Sequence, residues 1–313
     1  MLIICVVWSV WFFNTGLKQI IELVSTHSVI MLTMLFGSFV AGSTSLGGGA
    51  VAFPVFTKVL SIPADIALVF SLAIQSVGMT AAMIILIVSK AAINQRIILG
   101  SVLPGAFGLY CSLFLINDWI VGSQIKLLFS LFSLCVAFML IYEKQRDAKA
   151  LASSDQTLEK PLPATLIMVG GFIGGLLSGL IGTGIDFVLF AFMMLFSSMG
   201  LKQAIATSVC VMAINAVIGF AMIYILSNSF SGIVVEYWLA AIPIVVVGAP
   251  LGALACRYFH RDIIFYLLMS LIVLDVTSTA LILGQQSPWF IVVTLLMIAA
   301  FISFFNGYKN SHS

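Results

Sequence analysis

The residues whose types and spacing suit chemistry are Ser43 to Pro54, S-T-S-L-G-G-G-A-V-A-F-P, and a partial echo of that run from Ser178 to Leu189. Gly47, Gly48 and Gly49 interrupt an apolar stretch that would otherwise read as a membrane helix. Consecutive glycines are poor helix formers, with maximal backbone entropy and no side chain to pack. In hydrocarbon, unwound backbone persists only where it is buried in protein or lines a polar cavity. The helix that resumes after Gly49, or after Gly182–Thr183–Gly184, presents free N–H groups and the positive end of its dipole. Two such ends facing one another make an anion site from backbone alone. No Lys or Arg falls in the middle of an apolar span, so an anionic substrate would have to be held in this way. Thr44, Ser45 and Thr183 can add hydroxyl donors at the breaks, and Ser71, Gln75, Thr207 and Ser208 can add polar groups from the helices that follow.

Close packing is the competing explanation. Gly37, Ala41, Ser45 and Gly49 recur every four residues, as do Gly170, Gly174, Ser178 and Gly182. Ridges of small residues let membrane helices approach without any ligand. Packing suffices for the glycines that precede each break, but it never requires three glycines in a row.

Two acids lie within apolar stretches. An ionisable residue inside a span is costly and is a functional candidate by default. Asp186 sits one turn beyond the second break, where a helix N-terminus stabilises a carboxylate and capping alone would account for it. Beside a bound anion it is repulsive unless protonated, which points to proton coupling. Asp275, followed by Thr277, Ser278 and Thr279, is a second coupling candidate or a hydrogen-bonded packing residue. An aspartyl-protease reading fits poorly. Ile185 separates Gly184 from Asp186, turning the carboxylate about 100° around a helix, and nothing places Asp275 against Asp186 to share a proton. An anion channel stays open beside a transporter at this stage. Cys5, Cys111, Cys135, Cys210 and Cys256 are dispersed, and His27, His260 and His312 form no ligand pattern. No metal site, disulfide framework or cofactor is indicated.

These candidates are carried by a chain of 313 residues, 62% hydrophobic and 8% charged. Soluble domains carry about 25% charged residues, so this is an all-α polytopic membrane protein. Its net charge of +2 implies no nucleic-acid partner. As straight helices, residues 28–60 and 164–199 would be about 50 Å long, against a hydrocarbon core of roughly 30 Å. Both are therefore expected to be hairpins that break at the glycines. The ordinary spans are 63–89, 97–117, 120–142, 201–227, 233–256, 262–284 and 288–305. Residues Met1 to Phe13 are too few to span and read as part of an extra N-terminal helix or interfacial segment, 1–27.

Ser43, Gly47 and Gly49 repeat as Ser178, Gly182 and Gly184, and Ala67 and Ser71 as Ala204 and Ser208. The expected order is therefore a first repeat at 28–142, a linker at 143–163, a second repeat at 164–284 and a C-terminal helix and tail at 285–313. Each repeat is a glycine-broken hairpin plus three helices, and five crossings force the second repeat to be inverted. With the linker and C-terminus cytoplasmic, ten Lys and Arg residues fall inside and three outside. Counting each broken stretch as one crossing gives seven against six. The positive-inside rule favours the hairpins, and it places Trp119, Trp238 and Trp289 at the outer interface.

The motifs S-L-G-G-G-A-V-A-F-P and S-G-L-I-G-T-G-I-D-F, the latter beside A-I-A-T-S, resemble the paired signature of the TauE/SafE sulfite exporter family. Pro104–Gly105 and Gly248–Ala249–Pro250–Leu251–Gly252 extend the resemblance over residues 28–284. It implies a secondary transporter, not an enzyme, that moves sulfite or an organosulfonate across the plasma membrane (the bacterial inner membrane), usually outward. The partners it implies are a small inorganic or organic sulfur anion and the lipid bilayer; protons are a further candidate partner on the residues Asp186 and Asp275 alone. The second half departs from the family pattern: Gly182–Thr183–Gly184 is followed by Ile185–Asp186, and Leu189 stands at the proline position.

Overall fold

A computed structural model describes residues 2–44, 52, 55–116, 161–227 and 229–284, together with isolated residues between 124 and 141. Outside this set lie Ser45 and Gly47–Gly49, the linker at 143–160, most of the span at 120–142, Trp119, Trp289 and the segment 285–313. The described elements are all helical. They are α1 (Leu2–Thr26), α2 (Ser28–Ser43), α3 (Ala64–Val88), α4 (Gln95–Cys111), α5 (Ala164–Ile181), α6 (Ile185–Phe196), α7 (Leu201–Leu226), α8 (Ile233–Tyr258) and α9 (Arg261–Gly284). Six of the described helices are long and apolar enough to cross a membrane, including α1, α3, α7 and α8.

The stretch from 164 to 199 is a helical hairpin. α5 ends at Ile181 and α6 starts at Ile185. With 12 residues, α6 is about 18 Å long and cannot span by itself. It folds back along α5, so that a Cβ at Gly170 would touch Leu189 and Phe192, and one at Gly174 would touch Ile185. In the first half α2 stops at Ser43, and Thr44 turns to extended backbone. Ala52 and Phe56 then border the same small cavity as Met34 of α2 and Phe70 of α3. Val55–Val59 forms a turn of π-helix.

The glycine doublets of α5 make two ridges. Gly170 and Gly174 face α6, while Gly171, Gly175 and Gly179 lie one residue round and face α4. There the contact is backbone on backbone: a Cβ on Gly175 would strike the Gly105 carbonyl, and one on Gly108 the Phe172 carbonyl. The same arrangement occurs between α2 and α8, where Gly42 meets the Ala249 carbonyl and Gly252 the Phe39 carbonyl. α2 of the first half thus packs against α8 of the second, and α5 of the second against α4 of the first. The corresponding helices α3 and α7 run antiparallel. The end of α3 at Lys90 shares a cavity with the start of α7 at Lys202, and its start at Asp65 shares another with Ile223 and Ser227.

α1 is longer than the apolar run at its start. It continues through Asn14 and Glu22, with a break at Gly16 (φ 72°, ψ 156°), a backbone that favours glycine. Its tryptophans hold it to α8. Pro243 lies inside α8 and removes the N–H that would otherwise bond the Leu239 carbonyl. Trp11 Nε1 donates to that carbonyl at 2.8 Å, and Trp8 Nε1 to the Pro243 carbonyl at 3.1 Å. Trp238 sits between helices, partly buried, and donates to the Ala73 carbonyl at 3.0 Å.

Candidate functional site

The second break is built by two glycines in left-handed backbone, Gly182 (φ 83°) and Gly184 (φ 150°). Gly182 caps α5, and its N–H donates to the Ser178 carbonyl at 2.8 Å. Ser178 Oγ in turn accepts from the Ile185 N–H at 3.1 Å, so one residue, through its carbonyl and its hydroxyl, serves both arms of the hairpin. Gly184 N–H donates to Asp186 Oδ1 at 3.1 Å, and Thr183 Oγ1 donates to the same oxygen at 3.3 Å. Asp186 and Thr183 are both buried. The carboxylate therefore occupies the N-terminus of α6, the place where sequence reasoning put an anion.

The other end of the break is held by the first half. The Gly182 carbonyl accepts from Gln75 Nε2 at 2.7 Å and from Ser71 Oγ at 3.1 Å, and Gln75 Nε2 also reaches Ser71 Oγ at 2.7 Å. Gln75 Oε1 is buried without a hydrogen-bond partner. On the other flank Asn215 of α7 is 3% exposed, and neither its Oδ1 nor its Nδ2 has a partner. Its Oδ1 lies 3.4 Å from where a Cβ on Gly105 would stand, next to the Ile185 side chain. Two buried amides with unused hydrogen-bonding capacity thus flank one glycine break. Such groups are rare in folded proteins and call for an explanation. Sequence reasoning missed Asn215, although it is the one Asn in the apolar run of α7.

The remaining candidates are distributed as follows. Thr44 caps the end of α2, its Oγ1 donating to the Val40 carbonyl at 2.8 Å. Ser45, Gly47, Gly48 and Gly49 lie outside the described residues. Thr207 Oγ1 donates to the Gln203 carbonyl at 2.8 Å and accepts from the Asn94 N–H at 3.0 Å, tying the α3–α4 loop to α7. Ser208 is fully buried and bonds back to the Ile205 carbonyl at 2.9 Å. Asp275 accepts from Ser130 Oγ at 3.0 Å, a hydrogen-bond set separate from that of Asp186. Among the described residues no group of three His, Cys, Asp or Glu side chains forms a metal site.

No curated protein and no solved structure matches the chain. A family model described as Sulfite exporter TauE/SafE matches residues 30–279, which take in both glycine-rich stretches and the amides around the second break. This is a family of membrane transporters and not of enzymes, and the chain belongs to it.

Proposed function

We propose that this protein is a secondary transporter that carries sulfite or a small organosulfonate out of the cell across the plasma membrane, with the anion held between two inverted glycine-broken hairpins. The observation that carries the reading is the second break. Unwound backbone lies inside the bundle there, followed by buried amides at the start of α6 and flanked by the unpartnered Gln75 Oε1 and the unpartnered amide of Asn215. The reciprocal contacts of α2 with α8 and of α4 with α5, and the antiparallel course of α3 and α7, support the inverted arrangement. The sequence offers Gly47–Gly49 as the opposing helix end, and Asn215, with Thr183 once Asp186 is protonated, supplies side-chain donors.

Asp186 competes with the substrate for the α6 amides. Protonation removes its repulsion and frees those donors for an oxyanion, which makes transport proton-linked. Flux of labelled sulfite, sulfate and methanesulfonate into and out of proteoliposomes, with and without a pH gradient, tests the proposal. Sulfite or methanesulfonate flux that responds to the gradient is the expected result. No flux of any sulfur anion, by a protein that remains folded, would overturn it.

A further inference from the structure

Two lysines in different halves of the chain line one cavity of about 210 Å³, with Ala91, Gln203, Cys256 and Gly42 among its other walls. Gly42 lies in the last turn of α2, directly before the first break. The cavity therefore runs from the lysines to the C-terminal end of α2. At the opposite ends of α3 and α7 the described residues of the corresponding cavity include Asp65, Ser227 and Ser229.

Both lysines stand where local backbone chemistry argues against them. The Lys90 N–H donates to the Ile87 carbonyl at 3.0 Å and the Ala91 N–H to the Leu86 carbonyl at 2.9 Å. This pair of bonds closes a helix with a left-handed residue, almost always glycine, in the position Lys90 holds. Lys90 is at φ 52°, a conformation that costs a residue with a Cβ. Lys202 falls in the first turn of α7, the positive end of the helix dipole, where a cation is disfavoured. Two independent local penalties, met at one cavity, point to a demand for positive charge there.

We propose that the cavity lined by Lys90 and Lys202 is an anion-recruiting vestibule, which concentrates small oxyanions at one mouth of the pathway and passes them towards Gly42 and the first break. The identification of the anion as the transported species rests on the transporter reading above; the vestibule itself does not require it. Low-dielectric walls around like charges focus the field and raise local counter-ion concentration. Among the described residues the opposite cavity carries Asp65 in place of the two lysines.

The test uses Ala92→Cys, a wall position of the cavity, in a full-length background without native cysteines. Its labelling rates by an anionic and a cationic thiosulfonate reagent are divided by the same rates on a free thiol. A ratio favouring the anionic reagent by about tenfold is expected, falling towards one in Lys90→Gly with Lys202→Gln. Lys90→Gly suits the left-handed backbone, so thermal stability should be kept or raised while the ratio drops. Lys90→Arg with Lys202→Arg should restore it. Methanesulfonate should slow the labelling; sulfite is avoided as competitor because it attacks the reagent.

Arg96 lines a different groove, between α4 and α5, so Arg96→Ala should leave the ratio unchanged. A ratio that survives removal of both lysines, that falls equally in Arg96→Ala, or that is indifferent to methanesulfonate would overturn the vestibule. Labelling is read without any transport. Failure of the sulfur-anion flux assay would therefore remove the transporter reading while leaving this result intact.

Discussion

Gln75 Nε2, on the third crossing of the first half, donates to the Gly182 carbonyl in the break of the second half at 2.7 Å. The side chain therefore joins the two halves of the chain at the point where the backbone unwinds. Gln75→Met keeps the approximate volume and removes the amide. It leaves Ser71 as the described donor to that carbonyl, so the acceptor stays partnered and the loss is that of one hydrogen bond, about 0.5–1.5 kcal/mol. Flux normalised to folded protein should fall tenfold or more. Flux that falls only as far as the amount of folded protein would make Gln75 a structural clamp.

Trp11 and Pro243 should be coupled energetically. Trp11→Phe removes a hydrogen bond from a carbonyl that Pro243 has already deprived of its helical partner, at a cost of about 1 kcal/mol. Pro243→Ala returns a backbone N–H to the Leu239 carbonyl, so Trp11→Phe should cost less in that background. Thermal midpoints of the four proteins in detergent give the cycle. Additive effects would mean that the tryptophan contributes by packing alone.

The two glycine ridges of α5 should respond differently to alanine. At Gly170 the new methyl meets the ring edge of Phe192 at 2.9 Å and the end of Leu189 at 3.0 Å, both of which can shift. At Gly175 it meets the Gly105 carbonyl, which is helix backbone and cannot move alone. Gly175→Ala should lower stability by roughly 1–3 kcal/mol and Gly170→Ala by less. Gly42→Ala, against the Ala249 carbonyl, should behave like Gly175→Ala. Thermal unfolding decides the order, and equal losses at Gly170 and Gly175 would contradict it.

Much of this fold is legible in the sequence because bilayer thickness constrains it. A 36-residue apolar stretch with glycines near its middle must either tilt implausibly or fold back, and residues 164–199 fold back. The four-residue spacing of Gly170, Gly174 and Ser178 is equally visible. It conceals the neighbouring ridge of Gly171, Gly175 and Gly179, because a doublet counts once in such a pattern while its two glycines face different helices. The docking of α1 on α8 is hidden for a related reason. Hydropathy ends at Phe13, but Trp8 and Trp11 find partners on α8, which no local window contains. Asn215 is a single polar letter in an apolar run, and only its three-dimensional surroundings reveal that its amide is unsatisfied. Conversely, Ser208 and Thr207 looked like free donors, yet their hydroxyls bond to backbone within their own helix.

The charge distribution gives a topological expectation. Residues 143–163 should be cytoplasmic and the 228–232 loop external, because that arrangement places ten of the thirteen Lys and Arg residues inside. Cysteines introduced at Ser153 and Ser229, in a background lacking native cysteines, should be labelled by a membrane-impermeant reagent from opposite sides. Labelling of both from one side would exclude the inverted repeat.

Asp186 carries the sharpest expectation, because its carboxylate fills the helix end that an anion would use. Asp186→Asn retains an oxygen that can accept from the Gly184 N–H, as Asp186 Oδ1 does at 3.1 Å, and it removes the charge. The amide mimics the protonated acid, so anion binding should persist while the pH dependence of flux disappears. Asp186→Ala goes further and leaves the Gly184 amide and the Thr183 hydroxyl without this acceptor. A bound oxyanion can then take both, at the expense of the hairpin cap, worth about 1 kcal/mol of stability. Substrate binding and flux across a range of pH, for wild type and both variants, separate the roles. A flat profile in Asp186→Asn with binding preserved establishes coupling. A profile like that of wild type would reduce Asp186 to a cap on α6, and coupling would have to be sought elsewhere, with Asp275 and its partner Ser130 the next pair to examine.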